Sequence, residues 1–291
     1  MAALKLSPIV AGAWRMAEWQ MSPQQRLGWI QACLERGFSS FDHADIYGGY
    51  QVEALFGEAL ALAPDLRERL QLVSKCGIQL VTPARPGNAM KHYDTSAAHL
   101  RASVENSLRA LRTDRLDLLL IHRPDALLDA DELAACFGQL QREGKVLHFG
   151  VSNFTPAQFE LLHSRIPLAT NQVECSPLHL DPLHDGSFDQ AQRLRVAPMI
   201  WSPLAGGALF TRQDERAQKL RWAMGEVAGP LGVSLATLAL AWLLRLPCRP
   251  VPIVGSHRMQ ALDEAQAALA LQLSAQDWYR VWTAAAGREV A

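Results

Sequence analysis

Four side chains are spaced as a proton-transfer set would be: Asp42 and Tyr47 in "FDHADIYGGY", Lys75 in "LVSKCG" and His122 in "LLLIHRPD". A free tyrosine titrates near pH ~10, too high for a good acid at neutral pH. A lysine ammonium ~4 Å from the phenol favours the phenolate by up to ~4 kcal/mol at an effective dielectric of ~20. Tens of per cent of that would lower the tyrosine pKa by about 1. Asp42 would keep the ammonium charged and aimed. His122 would hydrogen-bond a substrate oxygen, and the Tyr47 hydroxyl would protonate a developing alkoxide. Such a set needs a hydride source to complete a reduction. Taken singly, each residue has an ordinary structural explanation: a rim tyrosine, a solvated strand-end lysine, a satisfied core histidine, a turn-capping aspartate. Four ionisable groups on three neighbouring strand ends would have to offset their burial by pairing with one another.

The elements that must hold them are short apolar runs alternating with amphipathic segments. The strand candidates are 8–14, 39–43, 70–75, 116–122, 147–152, 169–173, 197–202 and 251–255. Each is short and mostly apolar, as strands buried on both faces of a parallel sheet are. Helices fall between them. Ser22 and Pro23 start one that Gly37 stops, Asp94 or Thr95 caps another, Gly144 ends a third and a Thr-Pro pair opens a fourth. The run "SLATLALAWLLRL" is apolar nearly all round and should be buried. Two helices, near 257–268 and 274–286, close the chain. Eight βα units without a linker predict an α/β fold, a single (β/α)8 TIM-barrel domain over residues 1–291. No two glycines stand two residues apart, so the G-x-G-x-x-G fingerprint of a dinucleotide-binding Rossmann domain is absent.

A barrel builds its active site at the carboxyl ends of its strands. The residues there are Trp14, Asp42 with Tyr47 just beyond, Lys75, His122, Ser152 and Asn153, Asn171 and Gln172, Trp201 and Ser202, and Gly255, Ser256 and Arg258. His43 and Asp45 read as mostly structural.

The chain has 291 residues, 49% hydrophobic and 20% charged, with a net charge of -1, so neither a nucleic-acid partner nor a polyanion is indicated. Five cysteines, widely spaced and without a C-x-x-C, argue against a disulfide framework or a metal site and fit a reducing compartment. No window approaches the ~18 apolar residues of a membrane span. The N-terminal "MAALKLSPIVAGAWRM" is a poor signal peptide, lacking a basic start and interrupted by Ser7 and Pro8. These features predict a cytoplasmic protein.

The motifs "FDHADIYGGYQVEALFGEAL", "LVSKCG", "DLLLIHRPD", "GKVLHFGVSNF", "NQVECSP", "WSPLAGG" and "PIVGS" occur in this order. Together they make the chain resemble the aldo-keto reductases over nearly its whole length, and within them a bacterial cytoplasmic oxidoreductase branch. The resemblance implies a barrel enzyme that reduces small-molecule aldehydes or ketones with NADPH. Asp42, Tyr47, Lys75 and His122 would be its catalytic tetrad, with Tyr47 the general acid. Ser152, Asn153 and Gln172 would hold the nicotinamide carboxamide, and Trp201 would stack on the nicotinamide face. Ser202, Leu204 and Gly206 would cover the pyrophosphate. Gly255, Ser256 and Arg258 would receive the 2′-phosphate end, with Glu264 near the adenine. Ala261 stands where many relatives carry a further arginine. Losing that partner erodes NADP(H) preference without erasing it, leaving NAD(H) the less favoured cofactor. Trp14, Trp19, Tyr47 and His122 would wall the substrate pocket, which suggests apolar or aromatic carbonyls. The long 82–93 segment is a candidate lid.

The resemblance further implies a monomer, and a shortened or missing hairpin ahead of the first strand. Two other readings stay open. Lys75 beside an acid and a tyrosine would also suit a Schiff-base lyase. A non-catalytic NADPH-binding redox sensor would share the same fold.

Overall fold

The structure, a computed structural model, describes residues 4–289. Its strands are β1 (Val10–Gly12), β2 (Ser40–Asp42), β3 (Gln71–Cys76), β4 (Ile78–Gln79), β5 (His92–Tyr93), β6 (Leu116–Ile121), β7 (Val146–Ser152), β8 (Asn171–Glu174), β9 (Met199–Trp201) and β10 (Val251–Val254). All but β4 and β5 pair in parallel into a closed barrel of order β1-β10-β9-β8-β7-β6-β3-β2. This is the (β/α)8 barrel expected, with each of the eight strands inside or beside its predicted run. Several strands are shorter than the apolar runs that announce them. Trp14 therefore lies in a turn beyond β1, 55% exposed, rather than at the strand's end. Among the described residues no strand precedes β1.

The helices are α1 (Pro23–Glu35), α2 (Val52–Leu60), α3 (Ala97–Leu111), α4 (Ala130–Arg142), α5 (Pro156–His163), α6 (Ser187–Leu194), α7 (Ala208–Thr211), α8 (Glu215–Leu231), α9 (Leu235–Leu244), α10 (Met259–Ala268) and α11 (Ala275–Ala286). Ser22 and Thr155 cap α1 and α5 as the sequence indicates, each in a reciprocal box with a glutamine three residues on. The cap of α3 differs. Ser96 Oγ accepts the His99 N–H at 3.3 Å, while Thr95 donates to Asp125 at 3.0 Å and Asp94 accepts the Ser96 N–H at 3.0 Å.

The α6 and α8 segments carried no helix expectation. In α8, Gly225, Gly229 and Pro230 look like breakers, yet Leu220, Met224, Val227 and Ala228 form a buried stripe at helical spacing. Tertiary packing of that stripe overrides local propensity. The α9 helix is buried from Ala236 to Leu243, as its all-round apolar sequence requires. No single helix among the described residues is long and apolar enough to cross a membrane.

Period-two alternation divides each barrel strand between two cores. Val10, Val73, Leu118, Leu120, Met199 and Ile253 fill the barrel interior. Phe41, Leu72, Leu119, Ile121, Phe149 and Val151 face outward into the helical layer, where α2, α3 and α4 pack. The same alternation places Asp42, Lys75 and His122 on the interior side at the carboxyl ends, two residues past Ser40, Val73 and Leu120.

Close backbone packing of α2 on α3 fixes one position tightly. A Cβ at Gly57 would stand 2.0 Å from the Ala110 carbonyl oxygen. Gly57→Ala is expected to destabilise the fold by about 3 kcal/mol through overpacking. Gly28, on α1 with open space around it, is the control: Gly28→Ala should stabilise by about 0.5–1 kcal/mol. Urea denaturation of both variants checks this, and equal effects would contradict the packing argument.

Candidate active site

Lys75 is the centre of the site. Its side chain is 1% exposed, and its ammonium donates to Asp42 Oδ2 at 2.7 Å, to the His43 carbonyl at 2.8 Å and to Tyr47 Oη at 2.9 Å. All three N–H bonds of the ammonium are thereby used. Asp42 is held from its other side by Gln172, whose amide donates to Oδ1 at 2.8 Å across the barrel. Burial works against the ammonium, but Asp42 and Tyr47 outweigh it and hold the Lys75 pKa above its ordinary value.

The Tyr47 phenol departs from the sequence expectation. Burial raises its pKa above the ordinary value, and the pull of Lys75 offsets this only in part. Electrostatics from lysine act in the direction anticipated, but desolvation is larger. Opposite Tyr47, with ring centroids 6.0 Å apart, lies His122. Burial, then the charges of Lys75, Arg123 and Lys91, push its pKa well below the usual histidine value, so the ring is neutral.

Tyr47 is presented by a tight turn in which Gly48, Gly49 and Tyr50 all have positive φ, of 57°, 65° and 73°. Tyr50, a bulky residue in that region, is pinned by its hydroxyl, which accepts the Leu80 N–H at 3.1 Å, and by Arg85 over its ring at 4.5 Å. The short β4–β5 pairing ties down both ends of the segment expected as a lid, and Leu80 and Lys91 from its flanks line the cleft.

A cleft of about 1030 Å³ opens over these groups. Asp42, Tyr47 and His122 lie at its base, together with Ser152, Gln172 and Trp201. Ser202, Leu204 and Gly206 form one wall, and Gly255, Ser256, Arg258 and Glu264 line its far end. Trp14 and Trp19 line it too, but apart: Trp14 lies beside Tyr47 at 6.5 Å, whereas Trp19 packs on His257 at 5.2 Å. Trp19 thus lines the cleft from beside His257, whereas Trp14 lines it from beside Tyr47.

Asn153 is set behind the cleft and acts through its neighbours. It has φ 60°, donates to Ser152 Oγ at 2.7 Å, and accepts the Trp201 indole N–H at 3.0 Å. Ser152 in turn donates to the Gln172 carbonyl at 2.8 Å. Asn171 turns away, bonding the Phe154 carbonyl at 2.8 Å.

Arg123 and Lys91 also line the cleft; neither is among the expected site residues, although Arg123 stands within the motif "DLLLIHRPD". Arg123 directly follows His122, where strand alternation would turn a side chain away; β6 stops at Ile121, so the alternation no longer applies. His43 is fully buried with both ring nitrogens unpartnered, its edge on Phe56 at 4.5 Å. Burial, then Lys75, lowers its pKa to about 3. Asp45 Oδ1 is also buried without a partner, and burial, then Glu53, holds that carboxyl well above the ordinary range.

The far end suits a phosphorylated nucleotide. Arg258 is exposed as the N-cap of α10, next to the helix's unpaired N–H groups, and Ser256 Oγ braces its backbone at 3.2 Å. Positive φ at Ser202, Ala205 and Gly206 turns the wall loop's backbone sharply beside the cleft.

A sequence model described as the Aldo/keto reductase family matches residues 8–285. Oxidoreductase YdhF of Escherichia coli (strain K12) is 53% identical over 98% of this chain and 96% of its own. A 6-dehydroglucose reductase of Agrobacterium fabrum is 43% identical over 99% of this chain and 97% of its own. The fold superposes with a TM-score of 0.76 on an aldo/keto reductase from Klebsiella pneumoniae crystallised with NADP and acetate, 27% identical over 94% of this chain and 89% of that one.

Two consequences of the buried cluster are measurable. Lys75→Met strands Asp42 without its partner and should cost about 3–5 kcal/mol, of which Asp42→Asn/Lys75→Met should recover at least half. Strictly additive losses in urea denaturation would show that the pair does not act as a unit. His43, like His122, is an acid-sensitive group. Because its folded pKa lies below the unfolded 6.5, neutral His43 contributes full stability above pH 6.5 and loses it as pH falls toward 3. His43→Leu should therefore flatten the fall in stability between pH 6 and 4, by up to about 1.4 kcal/mol per pH unit. Parallel curves for wild type and variant would refute the assignment.

Proposed function

The chain belongs to the aldo/keto reductase family, and from that membership we propose that this NAD(P)H-dependent oxidoreductase is an NADPH-linked reductase of small aldehydes or ketones with Tyr47 as its general acid. The observation that carries the reading is the ammonium of Lys75, held between Asp42 Oδ2 at 2.7 Å and Tyr47 Oη at 2.9 Å. Bound NADPH would supply the hydride that reaches the carbonyl carbon. Tyr47 donates its proton to the carbonyl oxygen as the alkoxide develops. The phenolate left behind is stabilised by the ammonium already at hydrogen-bond distance, and water entering the cleft returns the proton. Neutral His122 orients the carbonyl oxygen without adding a second charge.

Ser152, Asn153 and Gln172 are assigned to the carboxamide end of the cofactor and Trp201 to the ring. Their linked hydrogen bonds support a rigid platform there. Ser202, Leu204, Gly206, Gly255, Ser256, Arg258 and Glu264 take the pyrophosphate and adenosine. The exposed Arg258 guanidinium supports NADP(H) over NAD(H), as does the NADP held by the Klebsiella pneumoniae relative. The Agrobacterium fabrum relative, a 6-dehydroglucose reductase by name, supports a small carbonyl substrate. A reducing setting accords with five buried, unbridged cysteines, and a cytoplasmic monomer is proposed from the family resemblance alone. The lyase alternative loses its support. A Schiff-base lysine needs a free lone pair and a lowered pKa, whereas Lys75 has its three protons committed and its pKa raised.

Titration with NADPH and with NADH, followed by tryptophan fluorescence, should give at least about tenfold tighter NADPH binding, reduced in Arg258→Gln. Equal affinities would remove the NADP(H) preference, and no quench with either would remove the reductase reading. Tyr47→Phe should lower kcat about 10²–10⁴-fold while leaving NADPH affinity near wild type.

A further inference from the structure

The substrate end of the cleft holds more positive charge than the proton-transfer set requires. Asp42 neutralises Lys75. Besides Arg258 at the far end and Arg15, which lies 5.1 Å over the Trp14 ring and donates to the Gly206 carbonyl at 3.1 Å, the cleft is lined by Arg123 and Lys91, whose charges reach His122. Neither forms an ion pair among the described residues. Arg123 Nη1 donates to the carbonyl of its neighbour His122 at 2.9 Å, and the guanidinium sits 5.8 Å over the Trp201 ring. These two contacts fix its position and leave the rest of its donor fork uncommitted. The carboxylate that acts on it is Glu174 on β8, close enough to be felt but not paired. The other acids lining the cleft lie elsewhere. Glu264 is at the far end with Arg258, and Glu18 is on the turn whose Trp19 packs against His257.

A half-buried guanidinium without a carboxylate is costly to keep, and burial does pull the Arg123 pKa down. Arginine is also the side chain whose planar fork matches a carboxylate or phosphate. Lys91 enters from the segment between β4 and β5 and acts on the same corner, since both cations push His122 toward neutrality.

We propose that the carbonyl substrate carries an oxyanion, and that Arg123, assisted by Lys91, holds it while Tyr47 and His122 engage the carbonyl. The proposal rests on the reductase reading and narrows its substrate class. It adds an anionic group to the apolar or aromatic carbonyl that the sequence suggested: Trp14 offers an aromatic surface, and Arg123 and Lys91 add positive charge to the same cleft. Arg123 and Lys91 are specificity-determining residues here, with no part in proton transfer.

The test compares matched aldehydes with NADPH: 3- and 4-formylbenzoate, their neutral methyl esters, succinic semialdehyde and 4-formylphenyl phosphate. At low ionic strength, kcat/KM for the preferred carboxylate should exceed that of its ester by at least tenfold, mainly through KM, and the ratio should shrink with added salt. Arg123→Met, which retains the aliphatic stem over Trp201, should bring the ratio near one. Exposed Lys91→Met should lower it less. The phosphate arm separates a phosphorylated substrate from a carboxylic one. Ester reduction without any anion advantage, or an advantage that survives Arg123→Met, overturns the inference while leaving the reductase reading intact. Failure to reduce every aldehyde, with NADPH still bound, overturns both.

Discussion

A lysine ammonium buried at the mouth of a barrel sets the conditions that the surrounding structure meets. Such a charge is tolerated only when every N–H finds an acceptor and one acceptor is anionic. Lys75 finds Asp42 on β2, the His43 carbonyl one residue further and the Tyr47 oxygen in the turn beyond. All three come from the single segment that follows a neighbouring strand. The parallel pairing of Asp42 with Val73 puts β2 and β3 in the register that lets Lys75 reach them. Gln172 then closes the arrangement from the other side of the barrel by holding the second carboxylate oxygen. The cluster therefore spans the barrel's mouth and ties opposite strands together.

Positive φ occurs at both ends of the barrel: Arg112, Arg195 and Arg249 adopt it in the loops leading into β6, β9 and β10. Non-glycine residues with positive φ include Tyr50, Asn153, Ser202 and Ala205, all in loops at the carboxyl ends of strands. Two of them are held by side-chain contacts that a free loop would lack. Tyr50 is pinned through its hydroxyl and ring, and Asn153 through Ser152 and Trp201. The barrel interior below is filled by aliphatic side chains in ordinary strand geometry. A rigid floor lets the rim adopt conformations that cost of order 1–3 kcal/mol each.

How much of this is legible in the sequence depends on whether local rules decide the outcome. Alternation of period two is local, so Val73 and Lys75, or Leu120 and His122, can be assigned to one face from the amino-acid order alone. The βα repeat implies the barrel, and Ser22 and Thr155 announce their helices. Where alternation stops, legibility stops as well: Arg123 lies past the end of β6 and enters the cleft by contact with Trp201, on the distant strand β9. The neighbour of Trp19 is hidden for a similar reason, since its position beside His257 follows from closure of β1 against β10. The α8 helix is hidden because Gly225, Gly229 and Pro230 speak against it locally, and only burial of its apolar stripe speaks for it.

The direction of the Tyr47 pKa is not legible in the sequence because two opposing effects contest it. Proximity to Lys75 can be inferred, but desolvation depends on how completely the turn is enclosed. A phenol whose pKa is lowered by about 1 from ~10 would still be about 99% protonated at neutral pH, so the proton is present at rest in either case. Tyr47 holds its proton at rest, and the ammonium 2.9 Å away lowers the cost of the anion once negative charge is passed to it. The same enclosure keeps His122 neutral, so that the carbonyl oxygen meets one ready proton and one uncharged hydrogen-bond partner. Desolvation and a fixed ammonium thus divide the work: the first keeps His122 uncharged, and the second stabilises the anion that forms on Tyr47 as its proton leaves.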